Sequence, residues 1–262
     1  MSLKTTILAA CAVGALMVGA GVAHAAPPSN LVTNGNFSSV ADGVSVSAQF
    51  GKSATVPDQQ FVTGWTGNNG YEIWYPSASA AMSDNAYGQY SGTTKEYIWN
   101  VSAPPTGPGT FVGLDGDTTS GVQSSISQVI NGLTVGSTYQ ISFDWAGAQM
   151  ASRTGATTDS LLVSLGSSQQ STAVLSNASK GFTGWEAATM SFIATSTSEA
   201  LSFLAVGSPT GLPPMSLLTN ISMQQVAVPE PSSLALLGGG LVGLGLVLRR
   251  RRAAKKQPVT KV

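Results

Sequence analysis

Apolar and polar residues alternate along most of this chain. Tyr139, Ile141, Phe143 and Trp145 fall on one side of an extended segment, with Gln140, Ser142 and Asp144 on the other. Met190, Phe192 and Ala194 repeat the pattern, as do Leu201, Phe203 and Ala205. A period of two marks half-buried strands. Asn34-Gly35, Asn69-Gly70 and Asn131-Gly132 supply turn chemistry between such runs. No 3.6-residue apolar stripe crosses residues 27–228. The expected fold is therefore all-β, a jelly-roll-like β-sandwich over 26–227. Residues 76–109 break the rhythm: they are rich in Ser, Ala, Gly and Pro and hold Tyr87, Tyr90, Tyr97 and Trp99. They are expected to form a long loop with one short strand around Glu96 to Val101.

Continuous apolar runs appear only at the two ends. Lys4, an apolar stretch from Ile7 to Val22 and then Ala23-His24-Ala25 predict a signal peptide over 1–25. Ala23 and Ala25 are the small residues that signal peptidase needs. Near the other end, Val228-Pro229-Glu230-Pro231 precedes an apolar segment, and Arg249-Arg250-Arg251-Arg252 follows it. A transmembrane helix is expected over 232–248, about 25 Å long and at the short end of what spans a bilayer. Five glycines weaken it (Gly238, Gly239, Gly240, Gly243 and Gly245). The arginines would hold the basic tail, 253–262, in the cytoplasm and leave the sandwich outside.

Charge narrows the function. Only 9% of the 262 residues are charged, and net zero hides segregation. Residues 27–228 carry 11 acids and 4 bases, while Arg249 to Lys261 hold seven bases and no acid. An acidic body argues against nucleic acid as a partner. Cys11 and His24 are the sole cysteine and histidine, and both leave with the signal. The mature chain then has no disulfide, Ser-His-Asp triad, Cys-His pair or zinc site of N/S type. Carboxylate chemistry, Lys or Tyr chemistry and oxygen-bound calcium stay open.

Val-Pro-Glu-Pro, a Gly-rich apolar segment and an arginine cluster, in that order, resemble the PEP-CTERM sorting signal of Gram-negative bacteria. The resemblance covers 228–252. It implies that Pro229, Glu230 and Pro231 are recognised by exosortase, a membrane cysteine transpeptidase, and that this chain is the substrate. It also implies an association with exopolysaccharide. Prolines flanking one carboxylate make an extended recognition strand with little ordering entropy to lose.

The body has a second resemblance. Leu31-Val32-Thr33-Asn34-Gly35-Asn36-Phe37, the Gly64-Trp65 pair, Ile126-Ser127-Gln128, Gly132-Leu133, Gly136 to Phe143, Gly113 to Gly116 and Thr219 to Ser222 resemble galactose-binding-like jelly rolls. That group includes carbohydrate-binding modules and DUF642-type cell-wall proteins, and the resemblance implies sugar binding. In members with a structural calcium, carboxylates help hold it where this chain has Ser38 and Thr219. No cofactor is therefore expected; Asp115 and Asp117 remain weak alternative metal ligands.

Sugar sites pair flat aromatic rings with amides and carboxylates. The candidate residues are Trp65, Asn68, Asn69, Tyr71, Glu72, Trp74, Tyr75 and Trp99, with Gln149 and Arg153 as polar handles at a strand end. Trp145 is expected in the core, as are Trp65 and Trp185. Adjacent Trp74 and Tyr75 should point to opposite sides of a strand. A structural or adhesive role with no sugar site is the alternative. So is a glycosidase built on Asp115, Asp117, Asp144 or Asp159, although acids beside Gly, Ser or Thr read first as solvated turn residues.

Overall fold

The computed structural model describes residues 29–41, 44–50, 60–68, 70–83, 97–119, 122–151, 153–226 and 233–254. The elements in chain order are β1 (Ala48–Phe50), β2 (Thr66–Gly67), β3 (Glu72–Tyr75), α1 (Ala78–Ala81), β4 (Phe111–Asp115), β5 (Ser125–Asn131) and β6 (Thr138–Gln149). They continue with β7 (Thr157–Leu165), β8 (Ser168–Ser171), β9 (Leu175–Asn177), β10 (Glu186–Ile193), β11 (Ser198–Ser208), β12 (Pro214–Gln225) and α2 (Ser233–Ala254). The strands form two sheets, ordered β1-β3-β4-β12-β6-β10 and β2-β5-β11-β7-β8, with β9 also on β7. All the strand pairings within them are antiparallel.

The alternating residues meet between the sheets. Tyr139, Ile141, Phe143 and Trp145 from β6 are buried against Leu201, Phe203 and Ala205 from β11 in one apolar core. Phe143 and Phe203 pack edge to face, with centroids 5.2 Å apart. The segment 132–137 does not close a hairpin: β5 and β6 lie in opposite sheets, and Gly132 and Gly136 take φ of 78° and 82° in the crossing.

The opening segment, 31–37, is held by side chains from both sheets. Trp65 Nε1 donates to Asn34 O at 3.0 Å and Trp74 Nε1 to Phe37 O at 2.8 Å. Gln128 donates to the carbonyls of Thr33 and Gly64, both at 2.8 Å, and accepts from Thr33 N–H at 2.8 Å. At a bulge in β12, Ile221 N–H donates to Gly35 O at 2.9 Å. The approach is so close that a Cβ on Gly35 would lie 1.9 Å from Ile221 O.

Part of the first sheet, β3, β4 and the second half of β6, is buried on both faces. Ile73, Tyr75, Phe111, Ala146, Ala148, Met215 and Leu217 point away from the main core into a second apolar cluster. Ala81, Ile98 and Val101 cover it, with Phe182 and Trp185 packed against them. The expected loop 76–109 is thus a roof over the sheet in its described parts. Its centre, residues 84–96, lies outside the described residues. In place of the expected strand at Glu96 to Val101 there is a single bridge, Ile98 to Met150, among the described residues.

At the C-terminal end, α2 runs through Arg249–Arg252 to Ala254. The stretch ahead of the first arginine, Ser233 to Leu248, is about 24 Å long at 1.5 Å per residue, short of a ~30 Å hydrocarbon core. Among the described residues, no helix is long and apolar enough to cross a membrane. Of the expected span over 232–248, residues 233–248 are helical, and residue 232 lies outside the described residues. The signal peptide 1–25 with Ala23 and Ala25, the motif Val228 to Pro231 and the tail beyond Ala254 lie outside the described residues.

Gly35→Ala should destabilise the protein by about 2 kcal/mol or more, because the backbone carbonyl it meets cannot move aside without undoing the β12 bulge. Chemical unfolding of the variant beside the parent checks this.

Candidate binding surface

The aromatic cluster chosen from the sequence builds the fold. Trp65, Trp74, Tyr75 and Glu72 are each 3% exposed or less. Trp74 faces the main core, and Tyr75 faces the second. The two rings do point to opposite sides of β3, but the roof buries the side expected to be wet. Asn68 is exposed, and its side chain is spent on a turn. It donates to Gln123 O at 3.0 Å and accepts from Gly70 and Ser125 N–H, both at 3.1 Å. Tyr71 alone of this cluster presents its ring to solvent, at 42% exposure. Asn69 lies outside the described residues.

Trp99 is half-buried at a corner where three distant stretches meet. Its backbone N–H donates to Gln149 O at 3.1 Å, and its indole N–H to Arg153 O at 3.0 Å. Lys180 places its Nζ 5.2 Å from the centroid of the Trp99 ring, within cation–π range. Asn100 Nδ2 donates to Lys180 O at 3.0 Å, and Lys180 N–H donates to Gln149 Oε1 at 2.8 Å. Gln149 is fully buried, and its amide also donates to Gly155 O at 2.9 Å. It is an internal staple, not a handle for a ligand. Arg153 and Lys180 are exposed. Trp185, expected in the core, is half-buried beside this corner, with its indole N–H on Ser102 O at 2.9 Å. No local pattern pointed to Lys180, which is 81 positions from the ring it covers.

Three of the four acids considered for hydrolysis are in the interior. Asp115, Asp117 and Asp159 are 3%, 5% and 0% exposed. They do not behave as solvated turn acids, because Gly116 threads between the sheets. Its N–H donates to Pro214 O at 2.7 Å, and its carbonyl accepts from Gly207 N–H at 2.8 Å. Burial pushes Asp115 up to about 7, against the hydrogen bond from Asp117 N–H. Burial likewise raises Asp159 to about 8 and Glu72 to about 8. Among the described residues, Asp159 Oδ1 and Glu72 Oε2 have no hydrogen-bond partner. Asp117 goes the other way: burial would raise it, but N–H of Gly211 and the hydroxyl and N–H of Thr119 hold it below the usual carboxylate range. Asp144 is half-buried and accepts from Asn220 Nδ2 at 2.8 Å.

Metal chemistry finds poor support. Both oxygens of Asp117 already accept hydrogen bonds from the chain. At the calcium position that the jelly-roll resemblance implies, Thr219 donates its hydroxyl to Thr110 O at 2.8 Å, Thr110 donates to Asn36 O, and Ser38 donates to Asn36 Oδ1 at 2.9 Å. Neutral hydroxyls that donate to carbonyl oxygens do not fit a hard cation, which needs anionic oxygen. Among the described residues, no group of three or more His, Cys, Asp or Glu could hold a metal ion.

Three acids with raised folded values fix a sign for pH. Between an unfolded value near 4 and a folded value of about 7 to 8, the folded chain binds more protons than the unfolded one. Stability therefore falls as pH rises through that window. The thermal midpoint should drop by about 5 °C or more from pH 5 to pH 8, and Asp159→Asn should flatten that slope. Calorimetry across the range checks both.

Comparison with known proteins places two matches on this frame. The PEP-CTERM protein-sorting motif matches residues 227–252. DUF642, a protein family of unknown function, matches residues 111–211. No curated protein matches. Among solved structures, the chain is similar to a family 61 carbohydrate-binding module in complex with β-1,4-galactotriose, at 13% identity, 76% of this chain, 99% of that one and TM-score 0.41. It is also similar to the CBM22-1 xylan-binding domain from Paenibacillus barcinonensis, at 12% identity, 79% and 100% coverage and TM-score 0.36. A family 4 carbohydrate-binding module shows 14% identity, 74% and 99% coverage and TM-score 0.32. The chain thus carries a PEP-CTERM protein-sorting motif at its C-terminal end and a DUF642 domain ahead of it.

Proposed function

We propose that this is an exported, non-enzymatic protein of the cell surface or exopolysaccharide matrix, and that its sandwich binds carbohydrate. The observation that carries the first half is the sorting motif at 227–252. In this reading, signal peptidase removes 1–25 and exosortase recognises Pro229, Glu230 and Pro231. The C-terminal helix and Arg249 to Arg252 hold the chain at the membrane until it is cut.

Carbohydrate binding is supported by the Trp99 corner. A half-buried indole pinned at both its backbone and its ring nitrogen, with the Lys180 ammonium over it, brings an aromatic surface and hydrogen-bond donors together in the way sugar sites do. Burial of Asp115, Asp117, Asp159 and Glu72 favours binding over hydrolysis, because a glycosidase needs two carboxyls reaching one substrate bond.

Mass spectrometry of the protein recovered from the surface of its own cells should find a mature N-terminus at Ala26 or Pro27. It should also find a C-terminus lying upstream of Val262. An intact Val262 in the surface-delivered form defeats the processing reading. On an array of soluble glycans, the full-length chain should bind without shortening any of them. Silence on every glycan defeats the binding reading, and turnover defeats the non-enzymatic one.

A further inference from the structure

We infer that the outward face of the second sheet is a contact surface for a second copy of this chain, with Leu162 and Leu204 at its centre. This stands apart from the carbohydrate reading and from the Trp99 corner. The face follows from the strand register. Residues opposite one another across β2, β5, β11, β7 and β8 form one continuous row: Thr66, Ser127, Ser202, Ser164 and Gln169. The next row is Ser125, Leu204, Leu162 and Ser171. Val129 and Ala200 lie beyond the first row, and Val206 and Ser160 beyond the second. All of these residues are half-buried or exposed, whereas Ile126, Val163 and Phe203, which point the other way on the same strands, are buried. Leu162 and Leu204 belong to neither apolar cluster. None of the residues in these rows is charged. The exposed charges described between residues 29 and 226, Arg153, Lys180 and Glu186, stand on none of these strands.

Chemistry and size both favour a second copy as the occupant. The hydroxyls of the face are already spent on one another and on its backbone. Ser164 and Ser202 bond each other at 2.6 Å, Thr158 and Ser208 at 2.7 Å, and Ser160 donates to Val206 O at 2.9 Å. Groups satisfied in this way lose little when water is removed. A partner steered by charge finds nothing here to pair with, whereas two identical uncharged faces meet with no like charges opposed. Leu162 and Leu204 are directly opposite on neighbouring strands. A two-fold axis through that pair sets the leucines against their own copies and hydroxyl rows against hydroxyl rows. β5, β11 and β7 run 7, 11 and 9 residues. Strands of that size are on average about 30 Å long, and the five-strand path is roughly 20 Å wide. Two such faces packed together remove on the order of 1,000 Å² or more from water, which is what a specific interface needs.

The test is light scattering on the full-length chain in detergent, with the detergent mass subtracted, over a micromolar concentration series. The expected result is two chains per particle. Leu204→Lys and Leu204→Glu should each weaken the pairing at least about tenfold, because like charges then meet at the axis. An equimolar mixture of the two variants should restore it, and their unfolding midpoints should match the parent's. Should Leu204→Lys fail to fold, Ala200→Lys takes its place: it sits at an exposed position of the same strand and brings an unpaired charge into the same contact. One chain per particle at every concentration overturns the inference. So does a pairing that the charge variants leave unchanged, as a contact through α2 would be. A mixture that stays dissociated overturns the placing of Leu204 at the axis.

Discussion

A sheet that is apolar on both faces must be covered twice, and that requirement organises this molecule. In β3 and β4, and in the second half of β6, nearly consecutive residues are buried instead of alternate ones. One face meets the second sheet. The other would expose Ile73, Tyr75, Phe111 and Leu217 to water were it not for Ile98, Val101 and the turn of α1. Covering that apolar area is worth on the order of 25 cal/mol per Å² removed from water. An otherwise featureless Ser- and Ala-rich excursion is thereby fastened down. The fastened roof brings Trp99 beside Gln149, Arg153 and Lys180. The candidate binding surface is thus a by-product of completing the core.

The second organising feature is the use made of indole N–H groups. Trp65, Trp74, Trp99 and Trp185 each donate to a main-chain carbonyl from a distant stretch: Asn34, Phe37, Arg153 and Ser102. A buried indole N–H left unpaired would carry the desolvation penalty of a lost hydrogen bond. Each tryptophan therefore joins two parts of the chain. Four such links, with the Gln128 clamp, do in this body what disulfides do in many exported domains.

The sequence makes some of this plain and hides the rest for physical reasons. Period-two runs such as Tyr139 to Trp145 show one face of β6 directly, because burial on one side leaves an alternating trace. The tail is legible because its three parts are contiguous. Burial of Tyr75 is not, since alternation speaks of one neighbouring layer and is silent about a second supplied by Ala81, Ile98 and Val101. Asp115-Gly116-Asp117 has the composition of an open turn; only the close passage of Gly207 beside Gly116 puts those acids inside. Lys180 over Trp99 is a contact between distant positions, and neither segment bears a mark of the other.

The Trp99 corner draws on residues 97–100, 149–151, 153–155 and 179–180, so no continuous fragment shorter than 97–180 contains it. A protease acting on the mature body between those stretches would abolish the surface even if the pieces stayed folded separately. A cut within 227–252 removes nothing that the corner uses. Shortening the chain within the sorting motif would therefore leave every contact of that corner in place.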